Sequence, residues 1–169
     1  MRDTEIFIKY FQGVEEILPK RDRLNTITIT EEGKFLTREV SLTEVRRIKE
    51  SSEIYVPTIY ERAYEHIVDE SNSTIKNPTI IKIPGEEPIH LKAGEKVYIR
   101  EIRARHIRYM VDLGEEVRKG EKIAQTISRE RVLRNLKSDV DGKVLYQGQA
   151  LENPSRHVMI IWRGAIDAA

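Results

Sequence analysis

The reading of this chain turns on "VDLGEEVRKGEKIAQTISRERVLRNLKSDVDGKVLY", Val111 to Tyr146. Short β-branched and apolar runs alternate there with the turn-forming residues "LGEE" and "VDG". Strands this short, with turn residues at close intervals, belong in a compact barrel or sandwich. The same texture extends outward in both directions, through "TIIKIP", "EPIHLK" and "EKVYIR" on one side and "HVMIIW" on the other. One segment fits less easily. In "REIRARHIRYM" (Arg100–Met110), Ile102, His106 and Met110 keep helical spacing, while Ile107, Tyr109 and Val111 alternate as in a strand. Its β-like neighbours favour a bent strand.

Toward the N-terminus the character is mixed. "TEIFIKYF", "LNTITIT" and "KFLTREV" read as strands. In "SLTEVRRIKESS", Ser41 and Glu44 stand at the spacing of a capping box, and Leu42, Val45 and Ile48 share one helical face. A second box, Thr58 with Glu61, predicts a helix through "IYERAYEHIVDE". The polar segment "DESNSTIKNP", Asp69 to Pro78, is the expected domain boundary. The expected class is therefore α+β, mainly β. It has a small mixed N-terminal domain over residues 1–76 and a β domain over residues 77–169.

Composition narrows the function classes. Of 169 residues, 34% are charged and 39% hydrophobic, which fits a well-charged globular chain. No apolar run approaches the length needed to span a bilayer, so no membrane association is expected. "MRDTEIFIKYF" mixes charge into its apolar residues and offers no small-residue cleavage site, unlike a signal peptide. Cysteine is absent, which removes disulfides, thiolate nucleophiles and cysteine-bound zinc, and fits a cytoplasmic location. The net charge of +1 conceals a basic centre: residues 100–137 carry 11 Lys/Arg against 6 Asp/Glu. That modest excess fits a polyanionic partner, but a solvated surface accounts for it without any partner and is the favoured reading.

"GEEVRKGEKIA" (Gly114–Ala124), followed by "VDGKV" (Val140–Val144), resembles the biotinyl/lipoyl carrier domain. The resemblance spans Arg105 to Trp162 and implies a flattened β-barrel, or barrel-sandwich hybrid, made of two similar halves. It also implies that Gly114 makes a turn, Val117 enters the core and Lys119-Gly120 closes a second turn. Asp141-Gly142 would open the second half. The whole chain also resembles an archaeal family of uncharacterised proteins, a domain of unknown function that implies no activity.

A carrier domain needs a lysine at the tip of the hairpin joining its halves. Carrier spacing counted from Gly142 lands on Arg131, and counted from Gly120 it lands on Glu130. Arginine stays protonated, with a pKa above about 12, and its delocalised guanidinium is a poor acyl acceptor. Lys137 is the nearest lysine and falls where the family's chain is already returning to the barrel. No covalent biotin or lipoate, and no other cofactor, is expected.

What the hairpin offers instead is Arg129, Arg131, Arg134 and Lys137 around Glu130. These suit an acidic protein surface, a phosphate or a nucleic acid, or they keep an elongated hairpin soluble. The segment contains no aromatic residue to stack a base, which disfavours nucleic acid. "RHI" at Arg105–Ile107 recurs as "RHV" at Arg156–Val158. If the resembling fold makes those strands neighbours, His106 and His157 approach each other, although two histidines fall short of a zinc site. No phosphate loop, zinc-protease helix or nucleophile elbow is present. The expected role is accordingly non-enzymatic: a scaffold acting through protein–protein contacts, self-association included, with Arg105, His106 and His157 as further binding candidates. The competing expectation is an enzyme or small-molecule binder with a site between the two domains. His90, His106, His157 and the arginines of 100–108 would line that site.

Overall fold

The computed structural model describes residues 3–49, 53–150 and 152–164. Strands dominate, and the described chain divides into two compact units. One unit comprises Asp3–Asp69 and Ile75–Gly94; the other comprises Glu70–Thr74 and the chain from Glu95 onward.

The first unit is built on strands β1 (Glu5–Lys9), β2 (Arg23–Ile29), β3 (Phe35–Ser41) and β4 (Ile54–Pro57). Helix α1 (Leu42–Arg46) precedes β4, and helix α2 (Tyr60–Ile67) follows it. The two-stranded ribbon β5 (Val68–Asp69) and β6 (Thr74–Ile75) comes next, then β7 (Thr79–Lys82) and β8 (Ile89–Leu91). Six of these strands form one sheet in the order β3-β2-β4-β1-β7-β8. Phe7, Ile27, Tyr55 and Ile80 form an apolar cluster in this unit, and α2 turns Ala63, Tyr64 and Ile67 inward.

The capping box at α1 is formed: the Glu44 N–H donates to Ser41 Oγ at 3.1 Å, and the Glu44 carboxylate accepts from the Ser41 N–H. The helix ends at Arg46, earlier than the pattern through "KESS" implies, and residues 50–52 of that stretch lie outside the described chain. The second expected box does not form. The Thr58 hydroxyl donates instead to the Ile6 carbonyl at 2.9 Å, and α2 begins after Ile59 without a side-chain cap. A buried strand carbonyl has captured the hydroxyl that the local pattern reserves for the helix.

The division expected at 76/77 differs from the pairing observed. Strand β7 runs antiparallel to β1, aligning Ile81 with Ile6 and Ile80 with Phe7, and β8 follows β7 at the sheet edge. Residues 77–94 thus complete the N-terminal sheet, and the second unit's continuous portion starts at Glu95.

The second unit holds β9 (Tyr98–Arg103), β10 (His106–Tyr109), β11 (Glu116–Val117) and β12 (Lys122–Ile127). Strands β13 (Leu133–Lys137), β14 (Gly142–Gln149) and β15 (Arg156–Trp162) complete it. Two sheets result, β11-β14-β15-β9 and β10-β12-β13. Their shared core includes Ile102, Val117, Ile123, Val144, Met159 and Ile161. Residues 100–110 are extended on both sides of a break at Ala104–Arg105, which passes the chain from the four-stranded sheet to the three-stranded one. Gly114 and Gly120 turn with φ of +89° and +90°, conformations that cost a side-chain-bearing residue about 1 kcal/mol or more. Val117 is fully buried, and Asp141 accepts the Lys119 N–H at 2.7 Å.

Candidate functional site, an arginine-lined groove at a hairpin tip

The β12–β13 hairpin closes through a compact turn. The Arg131 N–H donates to the Ser128 carbonyl at 3.0 Å, so Arg129 and Glu130 occupy the two central positions. The Val132 N–H then donates to Ser128 Oγ at 3.1 Å. Arg131 takes a φ of +62° between these two bonds. A tight turn followed by one left-handed residue is a common way to close a three-residue hairpin, and glycine is the low-energy choice there. Arginine holds that position at a cost of about 1 kcal/mol.

The tip is both basic and apolar. Val132 and Leu133 are 52% and 54% exposed, and Ile127 is 41% exposed. Arg129, Glu130 and Arg131 are exposed as well. Lys137 lies at the other end of the hairpin, opposite Lys122.

Beside the hairpin is a groove of about 450 Å³. Four arginines line it: Arg103 from the end of β9, Arg105 from the β9–β10 connection, Arg129 from the turn and Arg134 from β13. Thr126, Ser128 and Ser155 add hydroxyls, and Ile127 and Val132 add apolar surface. No Asp, Glu, His or Lys is among the lining residues. Arg103 donates to Glu101 at 2.8 Å, whereas no carboxylate among the described residues pairs with Arg105, Arg129 or Arg134.

The segment that carries Arg103 and Arg105 is pinned from β15. The Ala104 N–H donates to the Ser155 carbonyl at 2.9 Å, and His157 Nε2 meets the Ala104 carbonyl at 3.1 Å. A carbonyl only accepts, so Nε2 carries the proton. Arg156, next along β15, lies between Glu70 and Glu101 and donates to both. Those bonds raise its guanidinium above the ordinary arginine value, and bonding to Arg156 and then Arg103 lowers the Glu101 carboxyl. This knot engages both Glu70 and Glu101.

The sequence candidates thus separate into groups. Arg105, Arg129 and Arg134 meet in the groove, Arg131 stands at the tip and Lys137 at the far end. Arg103 joins them; the sequence placed it only among the arginines of 100–108 expected to line a site between the two domains. His106 is exposed at the start of β10, where its cross-strand partner is Ile127. His157 is buried and aligns with Ile102 and Gln149 across its neighbouring strands. The strands neighbouring β15 are β14 and β9, not β10, so the expected strand pairing of the two histidines does not occur. Among the described residues, no group of three or more His, Asp or Glu side chains is placed to hold a metal ion. His90 belongs to the six-stranded unit, where it hydrogen-bonds the Tyr55 hydroxyl at 2.8 Å and meets the Tyr55 and Phe35 rings edge-on. No helix of the described residues is long and apolar enough to cross a membrane.

Fold and groove together define a mainly β protein whose exposed cationic feature is a hairpin with an adjoining anion-suited cleft. The chain belongs to the family described as "Uncharacterized protein conserved in archaea (DUF2118)", whose model matches residues 14–162. No curated protein matches it.

Proposed function

We propose that this is a non-enzymatic binding protein, and that its β12–β13 hairpin docks an acidic surface of a protein partner in the cytoplasm. The observation that carries the reading is the tip itself. Val132 and Leu133 expose more than half of their surface between arginines, and Arg131 is retained in a backbone conformation that favours glycine. Exposed aliphatic residues ringed by arginine are typical interface material. Strain kept at a surface position points to use of the side chain.

The second unit is read as a barrel-sandwich hybrid of the biotinyl/lipoyl type turned from carrying to recognition. Two sheets over one core, the glycine turns at 114 and 120, buried Val117 and the Asp141 contact to Lys119 all support this. Binding is favoured over catalysis because the groove is lined by Arg, Ser, Thr and aliphatic residues, with no group that exchanges a proton near neutral pH. Nucleic acid is disfavoured because no aromatic ring lines the groove.

The test is quantitative affinity capture from archaeal extract, comparing wild-type bait with R131E/L133D and with R38E as a charge control. A partner lost only with the hairpin variant, and rebound when both proteins are purified, supports the reading. Identical capture by all three baits overturns it.

A further inference from the structure

We infer that the groove lined by Arg103, Arg105, Arg129 and Arg134 is a binding site for a small molecule carrying two or more phosphoryl groups. Four arginines from three separate chain segments line one cleft of about 450 Å³, a volume suited to a small ligand. Guanidinium forks match phosphate oxygens in pairs, and two phosphoryl groups can engage more than one fork.

The local charge balance supports a site waiting for an anion. Glu101 pairs with both Arg103 and Arg156, Glu70 pairs with Arg156, and the two carboxylates together balance those two arginines. Arg105, Arg129 and Arg134 have no carboxylate partner among the described residues. Like charges gathered in a cleft repel one another, and a polyanion converts that repulsion into attraction. The hydroxyls of Thr126 and Ser155 supply neutral donors.

Ligand class is narrowed by what else lines the cleft. Ile127 and Val132 give an aliphatic shoulder, and no aromatic ring is available to stack a base. A diphosphate or a phosphorylated aliphatic or sugar-like compound fits this lining better than a base-read nucleotide. The Ala104 bonds to Ser155 and His157 hold the Arg103–Arg105 segment against β15, so part of the site is fixed before ligand arrives.

The inference stands apart from the docking of a protein partner, because it is tested on the purified full-length chain alone. Inorganic pyrophosphate is titrated by calorimetry at low ionic strength into wild type, R105M, R134M and R38M, after circular dichroism has established that each is folded. The expected result is saturable one-to-one binding, weakened roughly tenfold or more by R105M and by R134M and unchanged by R38M. Non-saturating heats, or equal weakening by R38M, would mean diffuse charge attraction and overturn the site. In a parallel arm, pyrophosphate should compete fully with any single-stranded RNA that binds. RNA affinity that grows with length and resists pyrophosphate would replace the small-molecule site with a nucleic-acid surface.

Discussion

Lys137 stands opposite Lys122 in the β12–β13 ladder, at the end of the hairpin away from the turn. Among Ser128 to Val132 there is no primary amine, and the central turn positions belong to Arg129 and Glu130. Acyl attachment needs a nucleophilic amine that a ligase can reach, and a guanidinium or carboxylate supplies none. The hairpin therefore presents charge and aliphatic surface to the solvent.

Replacing Arg131 with glycine separates strain from function. At φ +62° a side chain costs about 1 kcal/mol, while glycine adds unfolded-state entropy of about 0.5–1 kcal/mol. R131G should be neutral or up to about 0.5 kcal/mol more stable in urea unfolding, and should bind the proposed partner more weakly. A loss above about 1 kcal/mol would show that the Arg131 side chain holds the turn together.

Gly142 allows a close crossing within the second unit. An added Cβ would lie 2.6 Å from Ile161 Cγ2 and 2.8 Å from the Trp162 carbonyl oxygen, and the backbone oxygen cannot turn aside. Gly142→Ala should cost about 1–3 kcal/mol through overpacking, measured as a lower urea midpoint at unchanged slope. An unchanged midpoint would mean that β14 and β15 separate easily there.

Arg156 links acid stability to the groove's surroundings. Its bonds hold the Glu101 carboxyl below its ordinary value. A depressed carboxyl contributes stability that is present above its unfolded pKa of about 4.3 and is lost as pH falls through the folded value. Arg156→Met should cost about 1 kcal/mol at neutral pH, since both carboxylates are partly exposed, and should flatten the acid limb of stability against pH. An acid limb identical to wild type would remove Glu101 from that account.

Tyr109 governs part of the alkaline limb. Burial pushes its phenol up to about 12, and its hydroxyl has no hydrogen-bond partner among the described residues. The unfolded phenol ionises near 10, so the folded state should lose stability as pH rises from about 10 toward 12. Tyr109→Phe should lessen that loss and be neutral or up to about 1 kcal/mol stabilising at pH 7. Tyr55 and Tyr98 are also raised, mainly by burial, so some alkaline slope should persist. Marked destabilisation by Tyr109→Phe at pH 7 would mean that its hydroxyl is satisfied after all.

Local chemistry was legible in the sequence wherever neighbours along the chain decide the outcome. The Ser41–Glu44 box and the turn at Gly114 depend on a few consecutive residues, whereas the turns at Gly120 and Arg129–Arg131 were expected only from the carrier resemblance. Thr58 was misread because its partner, the Ile6 carbonyl, is distant in sequence. The 76/77 boundary failed for the same reason: the pairing of β7 with β1 leaves no mark in the polar segment before it. His106 and His157 share a repeated motif, yet the break at Ala104–Arg105 sends their strands into different sheets. Arg129 and Arg134 were picked out from charge and Arg105 from the repeated Arg-His pair, but their meeting with Arg103 in one groove depends on non-local strand pairing.

The central claim is that the hairpin works by recognition and carries no prosthetic arm. Its most direct test is intact-mass measurement, with peptide mapping of residues 111–146, on protein isolated from its native archaeal cells. The account predicts that Lys119, Lys122, Lys137 and Lys143 carry no biotinyl or lipoyl group. Such an adduct on any of these lysines would contradict it.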